Sequence, residues 1–300
     1  MVDIDWEDAL DLGPVTVLSG LERGKYPHGN SMLVHGTRET VLIDPSLTIA
    51  ERGCPVDVDH VVLSHVHEDH IPGLSRVPDV PVHCHEDDAL GLESLDSLMK
   101  MYGMPDDIEA AFREEVIDEF HYAPRSDVRT FIGGDSFDLG GVTIDVVHTP
   151  GHTRGHCALV VPEARVAFLG DIELTGFGPY YFDAWSSLDD FERSIERCRT
   201  IDADHFVTFH HKWVIDGQDT LHTMLDAFQA VINQREERML EFLAEPKTVA
   251  ECADHRFVYR PHVDITFVTH VEQRSAVLHL DRMTADGRVV EIEPGRYRTA

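Results

Sequence analysis

Lysine is nearly missing from this 300-residue chain: Lys25, Lys100, Lys212 and Lys247 are the only four. With 25 basic residues against 55 acidic ones the formal net charge is -30, a field that repels polyanions unless a local basic patch or bound cations overcome it. Cysteine is also sparse. Cys54, Cys84, Cys157, Cys198 and Cys252 are scattered, odd in number and without a Cys-x-x-Cys pair, which speaks against a disulfide framework or a zinc ribbon and for buried free thiols. No stretch reaches the ~20 consecutive apolar residues of a membrane span. Met1-Val2-Asp3-Ile4-Asp5 is acidic where a secretory signal is basic and then apolar, so the expectation is a cytoplasmic protein with no membrane partner. A hydrophobic content of 42% suffices for one large domain plus a small one.

Histidine is abundant, with 20 in the chain, and its placement carries the chemistry. Ser64-His65-Val66-His67-Glu68-Asp69-His70 follows the apolar run His60-Val61-Val62-Leu63, which reads as a buried strand, and Pro72-Gly73 punctuates the end. Three imidazoles and a carboxylate in six residues form a metal-ligand spacing, since imidazole suits zinc and iron and a carboxylate adds neutralising charge. Three later segments repeat the theme. Thr149-Pro150-Gly151-His152-Thr153-Arg154-Gly155-His156 follows the apolar stretch Val142–Val147; Phe168-Leu169-Gly170-Asp171 ends an apolar strand in Gly-Asp; Phe206-Val207-Thr208-Phe209-His210-His211 ends another in histidine. Each segment alone is an ordinary turn or a hydrogen-bonded histidine. Four strands ending in this order in ligand residue types are harder to dismiss.

These residues resemble the metallo-β-lactamase superfamily of hydrolases, with its His-x-His-x-Asp-His loop followed by a later His, a bridging Asp and a final His. The resemblance runs over about residues 13–235 and points to the glyoxalase II and lactonase branches. It implies that His65, His67 and His152 hold one divalent metal ion, that Asp69, His70 and His211 hold a second, and that Asp171 bridges the two. The last motif departs from the family's Pro-Gly-His-Gly: aligning Val214-Ile215 selects His211, with His210 as the alternative. Asp44, after Thr40-Val41-Leu42-Ile43, matches a strand-end aspartate that accepts from a ligand histidine. His156 is either such a supporting donor or a packed residue. Two ions sharing a water lower its pKa and generate a hydroxide nucleophile, and Asp69 is the catalytic group that orients the water and passes its proton on. Zinc is the expected metal, with iron and manganese compatible.

The order of elements suits an α/β protein with an αββα sandwich. Two short strands fall within 15–49, helical segments at about 86–101 and 105–119, strands near 142–148, 157–161 and 165–170, and a helix at about 188–199. Leu221, Leu225, Phe228, Val231, Ile232, Met239, Leu240 and Leu243 mark a long amphipathic helix. Thr248-Val249-Ala250-Glu251 has capping-box spacing, a helix follows at about 270–285, and Arg288–Ile292 with Arg296-Tyr297-Arg298 reads as a hairpin. That tail resembles a small winged-helix-like unit, giving a hydrolase domain at 1–235 and a C-terminal domain at 236–300. From Pro246 onward the chain carries eight basic and eight acidic residues, so all of the net charge lies before the tail. A neutral tail beside an acidic domain argues against nucleic-acid binding and leaves packing, formation of a homodimer, or closure of the cleft.

The aromatic stretch Glu173–Trp185 follows Asp171, and Tyr180 or Tyr181 in it is a candidate to bind substrate by donating to an oxyanion. The expected substrate is a small ester, thioester or lactone with an apolar portion. A ribonuclease or phosphodiesterase of the same fold, a persulfide-dioxygenase-like iron oxidoreductase and a metal-dependent sensor with a DNA-reading tail are the alternatives.

Overall fold

The computed structural model describes residue 6 and residues 9–300; the acidic Met1–Asp5 lies outside the described residues. Two sheets face each other. The first runs β1 (Leu10–Leu12), β2 (Val15–Leu18), β3 (Ser31–His35), β4 (Thr40–Ile43), β5 (His60–Val62), β6 (Val82–His85) and β7 (Arg129–Phe131) in spatial order; the second comprises β8 (Ser136–Asp138), β9 (Thr143–His148), β10 (Cys157–Val161), β11 (Val166–Phe168), β12 (His205–Val207) and β13 (Val214–Asp216). Val15, Val17, Val34, Ile43, Ile144, Leu159, Phe168 and Val207 fill the space between the sheets. The outer faces are covered by helices, with Leu42 and Val61 on one side and Phe206, Ile195 and Leu225 on the other. This is the four-layer αββα sandwich expected from the sequence, in which central strands buried on both faces read as unbroken apolar runs.

Register places the functional loops. Strands β4 and β5 are parallel, with Ile43 opposite Val62, and β11 and β12 are parallel, with Phe168 opposite Val207. Parallel pairing puts carboxyl ends together, so Asp44 lies beside the Ser64–His70 loop. Asp171 and His210 each stand three residues past the Phe168–Val207 pair. Antiparallel pairing of β9 and β10, with His148 opposite Cys157, turns the chain through the loop that carries His152.

The expected helix at 86–101 is broken. Strand β6 extends to His85, a short helix covers Leu90–Glu93, and Ser94 adopts an extended conformation and caps the next helix, Leu95–Tyr102, by accepting from the Ser97 backbone N–H. The helices Asp106–Asp118 and Leu188–Cys198 lie where expected.

Past β13, the 25-residue helix Gln218–Phe242 runs through position 235 without a break. Leu221, Leu225, Phe228 and Ile232 join the main core, whereas Met239 and Leu243 pack with Cys252, Phe257, Leu280 and Met283 in a separate cluster. Then come β14 (Lys247–Thr248), the helix Val249–His255 with the Thr248–Glu251 capping box, the helix Val268–Ala285, and β15 (Val289–Glu293) with β16 (Arg296–Thr299). The three strands form one sheet in the order β14-β16-β15. No helix among the described residues is long and apolar enough to cross a membrane.

Candidate metal centre

Side chains from five strand ends converge at one edge of the sandwich. One ligand atom each of His65, His67 and His152 lies within 4.8 Å of the others, and Asp69, His70 and His210 form a second such group. Asp171 stands between them, with Oδ2 3.2 Å from His152 Nε2 and Oδ1 3.1 Å from His70 Nε2. The last histidine is a correction. His211, the residue selected by alignment, is exposed, and His210 is buried with Nε2 2.9 Å from Asp69 Oδ2. Left-handed backbone at His211 (φ 58°) and Trp213 (φ 65°) turns the chain outward into β13, so two adjacent, chemically identical residues face opposite ways.

The second ring nitrogens fix the tautomers. His152 Nδ1 donates to the Tyr180 carbonyl at 2.9 Å, and His210 Nδ1 to the Gly24 and His28 carbonyls at 2.9 and 3.0 Å. His70 Nδ1 is 2.7 Å from Asp44 Oδ2. Ser64 Oγ donates to Asp44, so it accepts from His65 Nδ1 at 3.1 Å. A carbonyl oxygen only accepts, so the partners of His152 and His210 put a proton on Nδ1 and leave Nε2 as the atom aimed at the cluster, as metal-binding imidazoles require. Asp44 therefore supports both the first loop and His70. His156 is also a supporting residue: its Nδ1 donates to the Thr149 carbonyl at 3.0 Å, and its Nε2 accepts the Asp171 backbone N–H at 3.1 Å. Burial, with His152 nearby, holds the His156 ring neutral by pushing its pKa down to about 3.

The donor set fits divalent cations. His65 Nε2, His67 Nε2 and His152 Nε2 are buried and make no hydrogen bond, although buried polar atoms are almost always paired. His67 Nε2 does lie 3.4 Å from Asp183 Oδ2, and His152 Nε2 3.2 Å from Asp171 Oδ2, in both cases without the alignment of a hydrogen bond. Donors at about 2.0–2.1 Å from one tetrahedral ion stand about 3.3 Å apart, inside the 4.8 Å within which one ligand atom of each of these residues lies. Burial and the neighbouring imidazoles hold His65 and His67 well below the usual histidine range, so both are neutral. In the other half burial is outweighed: Asp69, Asp171 and Asp44 hold His70 well above that range, and Asp171, Asp69 and Glu173 carry His210 up to about 10. Those carboxylates offer a cation the charge that protons balance otherwise.

Several supporting residues carry no sequence signal. Asp88, just past β6, accepts from Thr153 Oγ1 at 2.6 Å, the Gly155 N–H at 2.8 Å and the Val66 N–H at 3.4 Å. It thereby ties the His152 loop to the His65–His67 loop. Glu68 accepts from the Tyr26 and Tyr102 hydroxyls, while burial and Asp69 push its carboxyl up to about 8. Arg235 did leave a trace, as a charge on the apolar stripe between Ile232 and Met239. It is buried and donates to the Pro179 carbonyl at 2.8 Å, the Phe177 carbonyl at 2.7 Å and the Tyr181 hydroxyl at 3.0 Å.

The aromatic stretch divides. Tyr181 is fully buried, with its hydroxyl shared between Arg235 and His279 Nε2 at 3.0 Å, so it is corrected from a substrate contact to a link with the tail. Tyr180 is half-buried, its ring 5.6 Å from that of His152 and its hydroxyl 3.4 Å from Asp183. Tyr26 stands 6.2 Å from the His210 ring, among Phe120 at 6.1 Å and the tail's Phe267 at 6.0 Å, and Tyr102 stacks on His67 at 5.1 Å.

Comparison with known proteins agrees with this geometry. The family model described as the metallo-beta-lactamase superfamily matches residues 26–211. The chain belongs to that superfamily. It is 25% identical over 195 residues to a beta-lactamase-like protein 2 homolog of Caenorhabditis elegans, covering 64% of this chain and 54% of that one. It is 25% identical over 228 residues to an atrochrysone carboxyl ACP thioesterase of Aspergillus fumigatus, covering 73% and 45%. The chain thus spans about half the length of these curated relatives. Among solved structures, a metallo-beta-lactamase family protein of Thermus thermophilus matches with a TM-score of 0.66 at 24% identity, over 91% of this chain and 94% of the other. A beta-lactamase domain protein of Burkholderia ambifaria matches with 0.72 at 20%, over 97% and 94%. At these identities the structural likeness shows the fold.

Proposed function

We propose that this superfamily member is a dinuclear metal-dependent hydrolase of small thioesters, esters or lactones, with zinc at the His65–His67–His152 triad. The observation that carries this reading is the convergence of three buried, unbonded Nε2 atoms beside a second group rich in carboxylate. Two divalent cations held there supply Lewis acidity and lower the pKa of water to near neutrality. The residues do the rest. Asp69, buried with one oxygen on His210 Nε2, has its other oxygen to orient the attacking water and to hold the proton that the leaving group takes up. Asp171, held by His156 at its backbone N–H, lies between the two groups and fixes their separation. Tyr26, backed by the buried Phe120 and Phe267, stands next to His210, an aromatic face suited to an acyl or ring portion of the substrate.

A thioesterase among the relatives supports this substrate class. Phosphodiester substrates lack support, because, among the arginines beside the aromatic loop, Arg235 and Arg274 donate to the carbonyls of Phe177, Pro179 and Phe182, and Arg154 lies over the Trp185 ring. We also propose that residues 236–300 are a winged-helix-like unit that shares the Gln218–Phe242 helix with the hydrolase unit and closes the cleft. Phe267, packed on Tyr26, and Tyr259, whose ring lies 5.3 Å from Phe177, support that role.

The test is a hydrolysis screen over thioesters, lactones, phosphodiesters and β-lactams, with metal content measured on the same sample. About two ions per chain and turnover of a thioester or lactone that chelation abolishes are expected. Turnover that survives complete metal removal, or sequence-selective DNA retention with no turnover, overturns the proposal.

A further inference from the structure

Glu173 is absent from the ligand set so far described, yet one of its carboxylate oxygens, one of Asp171 and a ring nitrogen of His210 all lie within 4.8 Å of one another. The chain leaves Asp171 through Ile172, which is buried in the main core, and Leu174, also buried, adopts the left-handed backbone at φ 56°. That region is an outlier for a bulky residue. It is occupied directly after Glu173, between two residues whose side chains are committed to the core. The carboxylate itself is lightly engaged: Thr175 Oγ1 donates to Oε2 at 3.3 Å. Donors of one ion, at about 2.0–2.2 Å each, stand up to about 4.2 Å apart, so Glu173 lies close to coordinating reach of an ion held by Asp171 and His210.

We propose, building on the two-metal reading above, that Glu173 is an additional carboxylate ligand of the second ion and biases that position toward manganese(II) over zinc. The two positions then differ in kind. The first offers three imidazoles and a share of Asp171, a nitrogen-rich set that suits zinc. The second offers His70 and His210 with Asp69, Asp171 and Glu173, an oxygen-rich set that suits a harder cation with more ligands.

The experiment uses the whole chain stripped of metal and titrated with Mn2+ (read by electron paramagnetic resonance) and with Zn2+ (read by competition with a chromogenic chelator). Wild-type protein is expected to take up two ions, with Zn2+ filling the first position and Mn2+ the second. Glu173→Gln, which keeps the shape and removes the charge, should weaken Mn2+ binding at least tenfold while Zn2+ binding at the first position stays within about twofold. Glu173→Asp should recover part of the Mn2+ affinity, which a purely packing role would not produce. Two ions bound with unchanged Mn2+ affinity in Glu173→Gln overturn the inference and leave the two-metal reading standing. Uptake of a single ion by wild-type protein overturns that reading and the role of Glu173 with it.

Discussion

His65, His67 and His152 and, across Asp171, the group of Asp69, His70 and His210 are built from the same kind of strand-end loop but solve opposite electrostatic problems. In the first half the imidazole Nε2 atoms stand buried without a hydrogen bond, and His65 and His67 are kept neutral by burial and by the neighbouring imidazoles, His70 and His152 among them. In the second half His70 and His210 are matched to carboxylates that raise their proton affinity against burial. The first half is thus a nitrogen cage ready for a cation. The second is an anionic hole in which protons and a cation compete. His152 belongs to both, because Asp171 raises its proton affinity against burial.

The largest expected effect comes from the residue common to both halves. Asp171→Ala should reduce metal content from about two ions per chain to about one or fewer, and kcat/KM by on the order of 10³-fold. Elemental analysis with parallel kinetics checks it; two retained ions would remove Asp171 from its bridging role. Next comes the histidine pair. His210→Ala should empty the second half and lower activity by at least about 10²-fold, while His211→Ala, at an exposed position, should leave metal content unchanged and activity within about twofold. The reverse order would restore the alignment-based choice.

That pair also shows where the sequence stops being legible. Which strands end in ligands could be read from apolar runs followed by His or Asp, because central strands buried on both faces leave no other periodicity. Which of two neighbouring histidines points inward is decided by left-handed backbone at His211 and Trp213, and neither residue type announces it. Strands β6, β7, β8 and β13 are only three or four residues long, too short for a period to register. Asp88 reaches across 65 residues to Thr153, a contact that no local pattern encodes. Tyr181 looked exposed to substrate because it lies in a loop beside the ligands; the buried Arg235 from a distant helix draws it into the core instead.

A smaller effect should separate the halves. Asp44 sits at φ 45°, which asparagine tolerates, so Asp44→Asn leaves the backbone alone and removes the charge that faces His70 Nδ1 at 2.7 Å. Supporting residues of this kind are worth about 10–100-fold in metal affinity. The loss should fall on the second ion. Ser64, which holds His65 Nδ1, donates to the same carboxylate from Oγ and from its backbone N–H; the asparagine oxygen still accepts the Oγ bond, while the backbone N–H loses its acceptor. Equal weakening of both ions, measured by chelator competition, would show that Asp44 acts through the shared loop and that the halves are not electrostatically independent.

The smallest effect concerns the link between the tail and the first half. The Tyr181 hydroxyl joins Arg235 to His279, and His279 Nδ1 lies 3.2 Å from Glu236. Arg235 keeps its bonds to the Phe177 and Pro179 carbonyls without Tyr181, and these hold the segment whose next residue, Tyr180, accepts from His152 Nδ1. Tyr181→Phe therefore removes one buried hydroxyl with two partners, a cost of about 1–2 kcal/mol in stability. It should leave His152 oriented and kcat/KM within about twofold. A Tyr181→Phe variant that unfolds at the wild-type midpoint but turns over substrate 10²-fold more slowly would mean that the hydroxyl reaches the reacting atoms, and that the aromatic loop opens further toward the cluster than its buried position indicates.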